Sequence, residues 1–121
     1  MAASTYRLIV IARRGGPEVL EIVEEPIPNP GPGQVRIKTL AAGVSAFDVM
    51  LRSVSFPGFP KPPFTPGVDM VGVVDEVGEG VTAPDVGTTV AALLDLDGGS
   101  YTEYLCIPAD RAVRVDLAKV E

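Results

Sequence analysis

The sequence predicts a mainly β domain with one short helix, and three observations carry that expectation. Glycine and proline are abundant, at 13 and 12 of 121 residues, about twice the usual share. They punctuate short β-branched runs instead of forming a low-complexity tract, the pattern of many short strands joined by turns. Only one stretch carries a helical repeat of apolar residues. The length matches one compact domain, commonly about 100–150 residues, and no internal repeat divides it.

Tyr6–Arg13 and Val19–Glu25 read as paired strands around the turn Arg14-Gly15-Gly16-Pro17-Glu18. Residues 26–33 carry prolines at 26, 28, 30 and 32; lacking N–H donors, they cannot hold a ladder and predict an extended surface loop. Gln34–Ala42 sets Val35, Ile37 and Thr39 against Arg36, Lys38 and Leu40, the alternation of a half-buried strand. The helix is expected near 45–53. Ser45 is suited to its N-cap, and Phe47, Met50 and Leu51 share one apolar face. Asp48 and Arg52 are four apart with the acid first, an order that favours a helical ion pair worth about 0.3 kcal/mol. A long loop follows over 55–67, with Phe56, Phe59 and Phe64 set among prolines; loops of this kind often carry function. Asp69–Val77 and Thr88–Leu94 are nearly all apolar, as in strands covered on both faces. Ser100–Pro108 and Ala112–Val115 complete a barrel or sandwich.

Composition removes whole classes of function. The formal charge is −6, and the basic residues are scattered apart from Arg13-Arg14, which disfavours nucleic acid and anionic membrane surfaces as partners. The apolar run Leu8–Ala12 is far short of the ~20 residues of a membrane span. Because no small-residue cleavage site follows it, a secretory leader is not expected. A single cysteine, Cys106, cannot form an internal disulfide and fits a reducing, cytoplasmic setting. Histidine is absent, which removes histidine-based triads, histidine-ligated zinc and a histidine general base.

Several motifs have bland readings. Gly78-Glu79-Gly80 lacks the third glycine of a dinucleotide fingerprint, since Ala83 stands at the sixth position; a tight hairpin turn is expected. Asp95-Leu96-Asp97-Gly98-Gly99 opens like a calcium loop, but its twelfth position is Cys106, so a solvated turn is expected. Cys106 stands between Leu105 and Ile107 in an alternating strand and reads as a structural thiol.

The segment from Ala42 to Val81 is more specific in combination. It contains Ala42-Gly43-Val44-Ser45-Ala46-Phe47-Asp48, then Pro66-Gly67-Val68-Asp69-Met70-Val71-Gly72-Val73-Val74, then Val77-Gly78-Glu79-Gly80-Val81, and Gly98-Gly99-Ser100-Tyr101-Thr102-Glu103-Tyr104 follows. In this order and spacing the chain resembles the N-terminal GroES-like (chaperonin-10-like) domain of the medium-chain dehydrogenase/reductase superfamily, in its zinc-independent quinone oxidoreductase and enoyl reductase branch. The resemblance runs from Tyr6 to about Val115. It implies a partly open β-barrel with one short helix near 45–53, forming a single substrate-side domain over residues 1–121. The Rossmann domain that binds the nicotinamide cofactor is absent from this chain, and family chains are nearly three times as long. The resemblance therefore implies part of an oxidoreductase that is inactive as an isolated fragment.

Further implications are residue by residue. Ser45 and Val68 stand where zinc alcohol dehydrogenases carry cysteine and histidine ligands, and neither supplies what zinc prefers; no metal is expected. Ser45, Asp48, Met50, Phe56, Phe59 and Asp69 are the expected residues of the substrate and nicotinamide cleft. Ser45 is the expected cofactor contact, although the branch generally has asparagine there. Met50 replaces a tyrosine of several relatives. Asp69 is expected to organise hydrogen bonds, and Phe56, Phe59 and Phe64 to form an apolar wall. The implied cofactor is NADPH, without zinc, the implied reaction is hydride transfer to a quinone, enone or similar activated double bond, and the full-length enzyme is expected to be a homodimer acting on a small molecule. A free-standing barrel that binds a partner or self-associates is the alternative; a co-chaperonin rests on shared fold alone.

Overall fold

The computed structural model describes residues 4–96, 98–116 and 118. Among these residues, seven strands and one α-helix follow in the order β1 (Thr5–Ile11), β2 (Leu20–Pro26), β3 (Gln34–Ala42), α1 (Ala46–Ser53), β4 (Asp69–Val77), β5 (Thr89–Leu93), β6 (Tyr104–Pro108) and β7 (Val113–Arg114). Single 3₁₀ turns cover Pro17–Val19 and Ala109–Arg111. Strands β1 and β2 form an antiparallel hairpin in register Thr5 to Pro26 and Ile11 to Leu20. The other five make one antiparallel sheet in the order β6-β3-β4-β5-β7. It stays open instead of closing on itself, the mainly β, partly open GroES-like architecture with one helix that the sequence predicts.

One face of the large sheet supplies the core, with Val35, Ile37, Met70, Val74, Val90, Ala92, Leu94 and Ile107 buried together. Ile11 and Val19 of the hairpin and Leu51 of α1 are also buried, outside that cluster. Arg36 fastens the outside of the sheet. It reaches Asp75 through Nε at 2.9 Å, Glu76 at 2.9 Å and the Pro28 carbonyl at 3.0 Å, and its guanidinium stands 5.6 Å from the Tyr104 ring centre. The proline-rich loop is thus tied to β3, where a basic residue of the alternating strand meets the paired acids of β4.

Three strand-level expectations differ. Residues 100–103 leave the β6 ladder because their backbone groups serve two other strands. Ile9 N–H donates to the Tyr101 carbonyl at 2.9 Å, Glu103 N–H to Arg7 at 3.0 Å, and Thr39 N–H to Glu103 at 2.9 Å. This segment joins the hairpin to the sheet. Strands β4 and β5 are buried on one face only: Met70, Val74, Val90 and Ala92 are buried, while Val71, Val73 and Ala91 between them are half-buried and Leu93 is 72% exposed; an antiparallel sheet tolerates one open face. Finally, residues 78–80 do not form a tight hairpin. Val81 N–H closes a turn on Gly78 at 3.3 Å, but β4 and β5 are linked by all of 78–88, because Gly78 N–H donates to Gln34 at 2.7 Å and Gly33 N–H to Glu79 at 2.9 Å.

Candidate functional site

The site is built at the N-terminus of α1. Ser45 is the N-cap, with extended backbone at φ −125° and ψ 164°. Its N–H donates to Asp48 Oδ2 at 3.0 Å, while Asp48 N–H donates to the Ser45 carbonyl at 3.1 Å. An acid at the third helical position satisfies an amide that the first turn would leave open. That accounts for the sequence Ser45-Ala46-Phe47-Asp48, and it turns the carboxylate inward until Asp48 is 5% exposed.

A second donor arrives from the segment that joins the hairpin to the sheet. The Tyr101 hydroxyl donates to the same Oδ2 at 2.7 Å. Oδ1 is buried and accepts no hydrogen bond among the described residues. Burial, followed by the bond to the Asp48 carboxylate, holds the Tyr101 phenol well above its ordinary pKa, so it stays protonated. These two polar groups face a cavity of about 280 Å³ whose walls include Ile11, Leu20, Val44, Val49 and Pro66. Apolar walls with a few convergent polar groups are the usual form of a small-molecule site.

The expected Asp48–Arg52 ion pair is not made. Arg52 Nε donates to the Gly15 carbonyl at 3.0 Å, and Asp48 is held by Ser45 and Tyr101. A buried carboxylate gains more from two fixed donors than from a flexible surface partner.

The other expected residues are dispersed. Ser45 is exposed beside the cavity's Val44. Asp69 is exposed and accepts a hydrogen bond from Gly43 N–H at 2.9 Å; a Cβ at Gly43 would run into that carboxylate. Together they edge a separate, apolar hollow of about 600 Å³ along Ala42, Val71, Ala91 and Leu93. Met50 is 48% exposed, two positions from Asp48 and so on a different face of the helix. Phe56 and Phe59 lie with ring centres 5.5 Å apart, and Phe59 meets Phe47 edge-on at 5.9 Å, so they form an aromatic cluster on α1. Phe64 instead pairs through its backbone with Ile11.

The residue that sequence reasoning missed is Tyr101. It lies 53 positions from Asp48, and the only signal near it was the glycine pair before it, of which Gly99 takes φ +77°. Cys106 is half-buried, with burial pushing its thiol up, as a structural thiol should be. Among the described residues no three His, Cys, Asp or Glu side chains are placed to hold a metal ion, and no helix is long and apolar enough to cross a membrane.

Comparison with known proteins identifies the family of the fold. Residues 31–117 match the alcohol dehydrogenase GroES-like domain family. The chain is 39% identical over 108 residues to the quinone oxidoreductase of Lama guanicoe, covering 88% of this chain and 32% of that protein. It is 36% identical over 112 residues to a 2-haloacrylate reductase of a Burkholderia species, covering 88% and 32%. Among solved structures it is similar to a mycobacterial protein complexed with NADPH, with a TM-score of 0.78, 33% identity, and 95% of this chain and 35% of that one covered. The chain spans about a third of the length of the curated relatives it matches.

Proposed function

The chain belongs to the alcohol dehydrogenase GroES-like domain family, in the quinone oxidoreductase-like branch of the medium-chain dehydrogenase/reductase superfamily, and from that premise we propose that it is the substrate-side domain of a zinc-independent, NADPH-dependent reductase of quinones, enones or similar activated double bonds. The observation that carries the reading is the Asp48–Tyr101 pair, a buried carboxylate held by two donors at the edge of an apolar cavity.

The residues present fit the ring end of a nicotinamide cofactor. Oδ1 of Asp48 is an acceptor without a donor among the described residues, Ser45 offers an exposed hydroxyl, and Val44 and Val49 offer apolar surface. They suit an amide or hydroxyl donor on a flat ring. The reading assigns the diphosphate end of the cofactor to a glycine-rich turn at a helix N-terminus in a Rossmann domain, as in the family. When bound, NADPH supplies the hydride. The chain's own part is then to orient the reactants and exclude water. Ser45 and Asp48 hold polar groups of cofactor or substrate, Tyr101 keeps the Asp48 carboxylate fixed, and Phe56 and Phe59 face flat acceptors. Met50 contributes apolar contact from the neighbouring face of α1, and Asp69 holds the Gly43 N–H. Val68 and Ser45 leave zinc without its preferred ligands. A dimeric, cytoplasmic, full-length enzyme completes the reading.

The test is NADPH oxidation by purified full-length protein with a panel of quinones and enones, before and after chelator treatment. Turnover that resists the chelator is expected; no NAD(P)H-linked reduction of any acceptor would overturn the reading. The apolar hollow beside β5 and β7 favours a second one, a free-standing binding module. That would give a monomer or one defined oligomer, and no turnover.

A further inference from the structure

We propose that Arg14 is a positioning residue that clamps the aromatic loop after α1 and thereby sets selectivity for broad, flat substrates. Its guanidinium donates three hydrogen bonds to backbone carbonyls: Nη1 to Leu51 at 2.8 Å and to Val54 at 2.9 Å, and Nη2 to Pro60 at 2.9 Å. Leu51 lies in the last turn of α1, Val54 is its C-cap, and Pro60 lies on the far side of the loop. One cation therefore fixes both ends of the segment that carries Phe56 and Phe59.

The chemistry suits the place. The last carbonyls of a helix lack amide partners and carry partial negative charge, so a cation is favoured there. A planar fork can serve three fixed acceptors at once, which a lysine ammonium on a flexible stem cannot. A second tie acts beside the first: Gly15 N–H donates to the Arg52 carbonyl at 3.1 Å while Arg52 Nε donates to the Gly15 carbonyl at 3.0 Å. The turn between β1 and β2 is thus zipped to the end of α1.

Between the clamped points the loop is short and ordered. Phe59 N–H closes a turn on Phe56 at 3.0 Å, with Gly58 at φ +90°. Phe59 packs edge-on against Phe47 of α1 while Phe56 is 61% exposed. The loop therefore presents one anchored ring and one open ring, and Arg14, turned to carbonyls, acts on substrate only through them.

The proposal rests on the reductase reading for its substrate, so its test has two arms, both on full-length protein. Arg14→Lys keeps the charge and loses the fork; Arg14→Ala removes both; Arg13→Ala is the neighbouring exposed control. Amide hydrogen exchange over residues 55–60 should quicken in both Arg14 variants and not in R13A, with β3 and β4 protection unchanged as the check on folding. In the kinetic arm, KM for a bicyclic quinone should rise about tenfold in R14K, the low end of what a changed apolar contact is worth, while kcat and the KM of a small acyclic enone stay at wild-type values. Unchanged exchange, or equal KM changes for both acceptors, would overturn the clamp. If the wild type reduces nothing, the reductase reading fails and the exchange arm alone decides whether Arg14 holds the loop.

Discussion

The Tyr101 hydroxyl meets Asp48 Oδ2 at 2.7 Å, and this contact binds the N-terminus of α1 to the segment that joins hairpin and sheet. The same oxygen receives the Ser45 N–H, so the phenol also steadies the helix cap.

Tyr101→Phe removes one of the two donors from a buried carboxylate and should cost about 2 kcal/mol, in the range of hydrogen bonds to charged groups. In a double-mutant cycle with Asp48→Ala the two losses should be non-additive, because both remove the same contact. Urea unfolding of the four proteins measures it; additive losses would show the pair to be uncoupled.

The alkaline limb of stability should depend on the same residue. Folding raises the Tyr101 pKa, chiefly through burial. Its contribution is complete below the unfolded value of about 10 and is lost as pH rises toward the folded value. In that window the unfolded chain releases a proton that the folded chain keeps, so stability falls with pH. Unfolding midpoints at increasing alkaline pH should therefore drop more steeply in wild type than in Tyr101→Phe.

Two strand arginines, Arg36 of β3 and Arg7 of β1, should differ sharply. Arg36 is only 16% exposed in its side chain and holds Asp75, Glu76 and the Pro28 carbonyl, so Arg36→Ala should cost about 2 kcal/mol. Arg7 bonds Glu103 with 66% of its side chain exposed, and Arg7→Ala should leave thermal stability within error, as exposed ion pairs usually do. Thermal melts of the two variants side by side check this.

Gly78 and Gly80 provide a matched pair. A Cβ at Gly78 would fall on the Gly31 carbonyl oxygen, which is backbone and cannot swing away, whereas Gly80 has open space around it but φ of +82°. Gly78→Ala should cost about 3 kcal/mol through overpacking, and Gly80→Ala about 1 kcal/mol through left-handed strain. Denaturant midpoints rank them, and the reverse order would refute the docking of residues 78–79 on the loop at 31–34.

Much of this molecule was legible in its residues. The bounds of β3 and β4 agree with the alternation of Val35, Ile37 and Thr39 and with the apolar run after Asp69, because side-chain period is a local property of the backbone. Ser45 as N-cap follows from an equally local rule. The absence of histidine, the lone thiol and the glycine–proline punctuation were likewise properties of composition and order.

What only the tertiary structure decided was which distant groups share a volume. Asp48 abandoned the helical neighbour that its spacing offered, Arg52, for Tyr101, and Arg14 found three carbonyls across the end of α1. Residues 100–103 left their strand to bridge two others. In each case a buried or half-buried polar group took the partner that could satisfy it without water, and no period or propensity encodes that partner, since it is chosen by the packing of elements far apart in the chain.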